Sequence, residues 1–317
     1  PVGINSVLII ADGILYSSSV NISGGYRNAI TGLGTSGTIP VNSMDQLTQV
    51  PIPTTNPIVK AGGTNSCAYA LDSQGNLFTW GDNNVGQCGN GGTIAMGTPV
   101  SVGVNITNVY DDPSNSNHDN TNNRIFGYQS FQGITDIFCL GGYNGHGACG
   151  IGSTANVISS TGALLANSSG TIAASTIKSL WNMGSTYGMT VIQTTDNHIW
   201  VCGYNGYGQL GIGNTTDQTY FVDTGSAWNG GDYTYVIQKV GGGYGWIDGT
   251  ADSAESVTVM WLRNSSNNDI IMTCGSQGRG SIGNGSTTAG NITSPYKINS
   301  FSGVNNVKDI ATFGGGP

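Results

Sequence analysis

Short apolar runs broken by polar turns recur along this chain. Ala68–Gly81 reads AYALDSQGNLFTWG: an apolar run, an Asp-x-x-Gly turn and a second apolar run. Met189–Gly203, MTVIQTTDNHIWVCG, has its turn at Thr195, Asp196 and Asn197. Ser256–Gly275, SVTVMWLRNSSNNDIIMTCG, turns at Asn264–Asn268, and Ser6–Ser17, SVLIIADGILYS, turns at Asp12 and Gly13. Strand-forming runs joined by turn residues predict a β-hairpin at each place. A fifth, less regular hairpin is expected within Arg124–Leu140, after the polar stretch DDPSNSNHDNTNN.

Each hairpin runs into a glycine-rich turn. Gly203–Gly213 reads GYNGYGQLGIG, and Gly142–Gly152 reads GYNGHGACGIG in the same frame. Gly81–Gly91 is GDNNVGQCGNG, Gly275–Gly285 is GSQGRGSIGNG, and a weaker copy ends at Gly32-Leu33-Gly34. The copies end at 34, 91, 152, 213 and 285, spaced by 57, 61, 61 and 72 residues. A fixed period of this size marks a repeat architecture. The 34 residues up to the first anchor and the 32 after the last make about one further period. One domain over 1–317 is therefore expected, with 304–317 and 1–34 sharing a unit.

A hairpin that feeds a Gly-x-Asn-x-x-Gly-Gln-Leu-Gly-x-Gly run resembles the regulator of chromosome condensation repeat. Gly203, Asn205, Gly208, Gln209, Leu210, Gly211 and Gly213 fit that run fully. Gly81, Asn83, Gly86, Gln87, Gly89 and Gly91 fit it with Cys88 in the Leu place. The resemblance extends over nearly the whole chain. It implies an all-β β-propeller of four-stranded blades, the ring closed by terminal strands sharing one blade. The family usually has about seven blades, against five anchors here. Either this is a five-bladed variant or residues outside the chain add blades.

Gly206, Gly208 and Gly211 also spell the G-x-G-x-x-G of a dinucleotide loop. A cofactor loop occurs once, after a strand and before a helix. Here the pattern recurs at 145–150 and 278–283, followed by polar, strand-like sequence such as NTTDQTYFV. The glycines are expected to allow positive φ and close backbone approach where blades meet, and no cofactor is expected.

Composition supports the β reading. The chain has 52 glycines in 317 residues, 8% charged residues and a single glutamate, Glu255. A net charge of −8 disfavours a nucleic-acid surface, which needs clustered Lys and Arg. No apolar run is long enough to span a membrane as a helix. Cys88 and Cys149 replace Leu210, and Cys202 and Cys274 replace Trp80, so the cysteines read as small buried hydrophobes. His118, His146 and His198 share no metal-ligand spacing, and Asp111, Asp112 and Asp119 lack the fixed spacing of a calcium loop. Seven Asn-x-Ser/Thr sequons are no more than an Asn-, Ser- and Thr-rich chain yields by chance. No catalytic constellation is present, and the chain is read as non-enzymatic.

The candidate contact residues are aromatic. Trp80, Trp200 and Trp261 lie in predicted strands and are expected between blades. Trp228, Tyr233, Tyr244 and Trp246 lie in SAWNGGDYTYVIQKVGGGYGWIDG, within the longest period, and resemble a carbohydrate or protein contact surface. The alternative there is that Tyr235 and Val236 begin a strand and the rest cap the propeller. Tyr143 and His146, with Tyr204 and Tyr207 one copy on, occupy variable turn positions and are expected to face outward.

A propeller does not imply a chemistry; function sits on its faces. The low charge and the heavy Gly, Asn, Ser and Thr content resemble a surface-exposed virion or phage tail appendage, a host-attachment module. Its partners would be a host-surface glycan or protein, or other virion proteins, and it would sit as a possible homo-oligomer. The family resemblance implies the alternative, an intracellular scaffold or exchange factor for a small GTPase.

Overall fold

The computed structural model describes residues 6–19, 31–34, 47–63, 67–110, 124–131, 134–158, 163–183, 188–245, 255–277, 280–298 and 307–310. Among these there is no α-helix, only strands, turns and short 3-10 segments such as Ala174–Thr176. The strands form five sheets. The first holds β1 (Ser6–Ala11), β2 (Ile14–Ser19) and β3 (Thr48–Gln49). The second is an antiparallel meander of β4 (Ile58–Gly63), β5 (Cys67–Asp72), β6 (Leu77–Gly81) and β7 (Met96–Gly103). The third runs β8 (Ile106–Tyr110), β9 (Arg124–Phe131), β10 (Ile134–Gly142) and β11 (Ala163–Leu164).

Two short strands then depart from the repeat. β12 (Ala166–Asn167) pairs antiparallel with β13 (Gly170–Thr171) and adds to the outer edge of the fourth sheet by one parallel bridge. That sheet is otherwise β14 (Ile177–Met183), β15 (Met189–Thr194), β16 (Ile199–Gly203) and β17 (Gln218–Asp223). The fifth is β18 (Val236–Gly245), β19 (Glu255–Arg263), β20 (Asp269–Ser276) and β21 (Asn291–Lys297). All five expected hairpins are present, including β9–β10 within the irregular repeat. Asp12 and Gly13 both take positive φ (51° and 76°), as a tight hairpin turn requires.

The hairpin strands β5, β6 and β15 are buried on both faces because the second and fourth sheets are each stacked between two others, whereas the first hairpin leaves Val7, Ile9, Ile10 and Ile14 exposed. On β5, Cys67, Tyr69 and Leu71 face Ile106, Val109 and Ile125 of the third sheet. The alternate residues Ala68 and Ala70 face Leu15 and Val50 of the first. The third and fourth sheets meet through Phe126, Cys139 and Leu165 against Leu180, Ile192 and Phe221. The fourth and fifth meet through Val191, Val201 and Leu210 against Val240, Met260 and Met272. Period-two alternation thus feeds two different cores from one strand, and four such cores lie between successive sheets.

The glycine turns lock this stacking. After the anchor, the first four turns each reach to the next sheet's repeat: Gly34 N donates to Gly97 O, Gly91 N to Ile158 O, Gly152 N to Thr219 O and Gly213 N to Thr293 O. Gly208 has φ +78°, and a Cβ there would stand 2.8 Å from Thr293 Cα. Inside the turn a buried Asn replaces missing backbone partners. Asn205 Oδ1 accepts from Leu210 N (3.0 Å), and Nδ2 donates to Asn214 O (2.9 Å) and Thr216 O (3.1 Å). Asn144 and Asn83 make the same bonds, to Cys149 N at 2.8 Å and Cys88 N at 2.9 Å.

The first strand of each of the last four sheets carries a register shift at one place: Ile58/Lys60, Ile106/Asn108, Ile177/Ser179 and Ile237/Lys239. Residues Val307–Ile310 repeat the local pattern of β8. Ile310 N donates to Asp309 Oδ1 as Val109 N donates to Asn108 Oδ1. Lys239 Nζ meets Asp309 Oδ1 at 2.7 Å, as Lys60 Nζ meets Asn108 Oδ1 at 2.9 Å. The expected sharing of one blade by 304–317 and 1–34 rests on segments that otherwise fall largely outside the described residues.

Trp228 belongs to the core between the fourth and fifth sheets. It is 0% exposed, and its Nε1 donates to Leu210 O at 2.9 Å. The expectation that it forms part of a contact surface is corrected: the loop after β17 folds its indole inward, under the anchor turn. Asp72, also buried, accepts from Thr54, Asn56 and Asn76 side chains and from Gln74 N and Asn76 N. Burial raises its pKa, but these hydrogen bonds outweigh burial and hold it at about 2.

Three outcomes follow. Gly208→Ala destabilises by about 3 kcal/mol, from left-handed strain plus the seam clash, whereas Gly213→Ala, with open space around it, costs about 1 kcal/mol from strain alone; urea denaturation reads both. Trp228→Ala lowers stability by about 3–5 kcal/mol, a loss in the same titration that a surface contact would not show. Because Asp72 is depressed when folded, its contribution is complete above its ordinary value of 3.8 and is lost as pH falls toward about 2. The thermal midpoint therefore drops across that window, and Asp72→Asn flattens the drop.

Candidate functional site

The repeated Gly-Tyr-Asn-Gly segment shapes one surface. Tyr143 and Tyr204 each follow the anchor glycine, where the chain leaves β10 and β16. Each phenol folds back over the glycine two residues on: a Cβ at Gly145 would collide with the Tyr143 hydroxyl, and one at Gly206 with that of Tyr204. The backbone on either side is pinned by the buried Asn144 and Asn205. The aromatic rings are therefore held by turn geometry that packing has already fixed.

Four of the residues expected to face outward come together. His146 meets Tyr204 edge-on with ring centroids 4.8 Å apart, and Tyr143 at 6.4 Å. Tyr204 in turn meets Tyr207 at 6.1 Å. All four are partly exposed. The row crosses from the third sheet's turn to the fourth's. Asp217 ties it down, accepting from Asn205 N at 2.7 Å through Oδ1 and pairing with His146 Nδ1 at 2.7 Å through Oδ2.

The remaining candidates lie elsewhere. Tyr233 is 38% exposed and stacks on His198 at 4.6 Å, with His198 Nδ1 2.8 Å from Asp223 Oδ2. His198 stands at the start of β16 and Tyr204 just after its end, so the two aromatic groups sit at opposite ends of one strand. Tyr233 also borders an open groove of about 590 Å³ with Asn197, Gln238 and Arg263. Tyr244 lies in β18, Trp246 lies outside the described residues, and Trp228 is in the core. Of that stretch, then, Tyr233 is exposed and Trp228 is not.

Sequence reasoning missed Asp217, and it weighed His198 only as a metal ligand and Asp223 only as a dinucleotide-like acidic residue. The His146–Asp217 pair spans 71 residues, and neither residue recurs at its repeat position, so no spacing reports it. Arg263 is engaged rather than free: its Nε and Nη2 bind the two oxygens of Asp269, which also accepts from Trp261 Nε1 and Val307 N. The Arg263 bond, against the effect of burial, holds the Asp269 carboxyl well below the usual carboxylate range. Among the described residues, no group of three or more His, Cys, Asp or Glu is placed to hold a metal ion, and no helix is long and apolar enough to cross a membrane. The surfaces offer aromatic faces, hydroxyls and paired charges, which suit contact with another molecule.

The comparisons agree with this architecture. The family described as the Regulator of chromosome condensation (RCC1) repeat matches residues 74–109, from the β5–β6 turn to β8. Human WBSCR16 superposes over 93% of this chain and 65% of its own, with a TM-score of 0.63 and 13% identity. Prp20p from Saccharomyces cerevisiae gives 0.60 and 16% identity, over 93% of this chain and 61% of its own. Yeast RCC1 (Prp20) bound to Kap60 gives 0.59 and 15%, over 93% and 59%. The chain spans less than two thirds of the length of each of these structures, and at such identities the likeness is one of fold. The chain has the fold of the RCC1-like β-propellers, with one matching RCC1 repeat at residues 74–109.

Proposed function

We propose that this propeller is an intracellular protein-binding scaffold, and that a small GTPase is its partner class. The observation that supports this most is the RCC1 repeat at residues 74–109 within an RCC1-like fold. Prp20p, which shares that fold, is described by its binding to Gsp1p and histones. Of the two readings drawn from the sequence, the comparisons favour this one; host attachment rests on composition alone. Acting by contact requires no reacting group, which suits a site built of aromatic rings and hydrogen-bonded pairs. The Tyr143–His146–Tyr204–Tyr207 row is the proposed contact surface, since partly exposed aromatics on rigid turns lose little entropy when they bind. The net charge of −8 suits a partner with a basic face better than a nucleic acid.

Purified chain added to Gsp1p carrying a fluorescent nucleotide should bind it and speed nucleotide release. The paired change Tyr204→Ala and Tyr207→Ala should weaken binding about tenfold or more without moving the thermal midpoint by more than a few degrees. Absence of binding to Gsp1p, together with capture of the chain by intact cells or surface glycans, overturns the scaffold reading in favour of attachment.

A further inference from the structure

Two pairs of buried thiols lie in contact. Cys67 Sγ is 3.1 Å from Cys88 Sγ, and Cys139 Sγ is 3.2 Å from Cys149 Sγ. All four side chains are at most 1% exposed. Cys88 and Cys149 share one position, seven residues after the anchor glycine, which Leu210 and Ile282 hold in the fourth and fifth sheets. An apolar role alone explains a small hydrophobe there. It does not explain why both cysteines at this position touch a second cysteine.

The partners come from different places in the repeat. Cys67 opens β5 and pairs across the sheet with Gly81. The matching residue opposite Gly142 is Arg124, and the third sheet draws its second thiol from Cys139 near the end of β10 instead. Two separate routes to the same contact argue that the contact itself matters.

We propose that Cys67–Cys88 and Cys139–Cys149 are two disulfide sites, closed during folding when a small-molecule disulfide such as oxidised glutathione is present. In each, one thiolate attacks the glutathione disulfide and releases one glutathione thiol. The second thiolate then displaces the other glutathione from the mixed disulfide. Each protein pair loses two protons and two electrons, and one oxidised glutathione becomes two reduced ones. A closed bridge needs an S–S distance of about 2.04 Å, so each pair closes with a shift of roughly 1 Å. The bridges link residues 21 and 10 apart, and each ties a strand to its own glycine turn.

The same burial that brings the thiols together protects them once folded. Burial pushes the Cys88 and Cys139 thiols well up, and the adjacent thiol adds to the effect. Thiolate is then scarce, so closure belongs to folding, and a folded reduced chain oxidises slowly. Cys202 lies near Cys149 but directs its Sγ to Ala148 O at 3.7 Å, while Cys274 directs its own to Gln209 O at 3.0 Å. These two remain thiols.

The test refolds the full chain from denaturant in a glutathione redox buffer, alkylates remaining thiols and maps cysteines by mass spectrometry after chymotryptic digestion. The expected result is two cross-linked pairs, 67–88 and 139–149, with Cys202 and Cys274 alkylated. The oxidised chain should melt about 5 °C above the reduced one. Cys88→Leu with Cys149→Leu, which installs the residue the fourth sheet already uses, should fold and lose that difference. Six alkylated cysteines, a dominant 149–202 link, or an unchanged redox-dependent rise in the double variant would each overturn the proposal. None of these outcomes bears on whether Gsp1p binds.

Discussion

Backbone must approach backbone at the seams between sheets, and the remainder of the structure is arranged around that demand. The anchor turn of one sheet lies against an outer segment of the next, and Gly91, Gly152 and Gly213 each donate an N–H across the gap. A side chain at Gly147 or Gly208 would meet the Cα of Thr219 or Thr293. Glycine is needed there for space as well as for its positive φ. The position before the anchor glycine faces the preceding turn. Trp80 crowds Gly32, Cys202 reaches Ala148 O and Cys274 reaches Gln209 O. Gly141 has no side chain, because a Cβ would strike Gly86 O. The seam therefore accepts residues of very different volume at one position, provided the turn behind shifts to match.

So tight a seam leaves backbone polar groups away from water, and each must find a partner. The buried Asn of the second, third and fourth turns supplies one acceptor and two donors from a single short side chain, which a charged residue could not do without desolvation cost. The fifth turn has Gln277 in that place, with Nε2 on Ser286 Oγ at 2.8 Å. The scarcity of charge is then a consequence of architecture. Amide side chains do the satisfying, and of the three buried carboxylates among the described residues Asp72 and Asp269 are surrounded by donors, while Asp82 accepts only from Asn83 N and Asn84 N and burial raises its pKa. Asp269 also holds Val307, so the last described segment is fastened to the fifth sheet by the same kind of device.

How far the sequence revealed this depends on whether a feature is local. The hairpins were legible because turn residues and alternating apolar runs sit next to one another. The glycine frame was legible because it repeats, and repetition also removed the dinucleotide reading of Gly206, Gly208 and Gly211. The cysteines read correctly as buried through their equivalence with Leu210 and Trp80, yet the two thiol contacts were invisible because Cys67 and Cys139 hold unlike positions. Trp228 misled because an aromatic among Gly, Asn and Ser has the composition of a surface loop. Only the fold shows that the loop returns its indole beneath Leu210. The β12–β13 addition and the His146–Asp217 pair occur once each, so no internal comparison exposes them.

The division between frame and face also accounts for a shared fold at 13–16% identity. What the seams require is a handful of glycines, one amide and alternation in size; these leave most side chains unconstrained. The residue at the tip of each turn is among the free ones, and it is Val85, His146 or Tyr207 in successive copies. The third and fourth turns lie close enough for the tip residue His146 to meet Tyr204 edge-on, so a change at a tip extends a row of side chains across the surface. In the third and fourth turns that row became aromatic, with Tyr143 and Tyr204 laid over Gly145 and Gly206. The rings are fixed by the same glycines that set the backbone, so a contact surface arises here at little additional conformational cost. Recognition can therefore diverge while the packing beneath it stays the same.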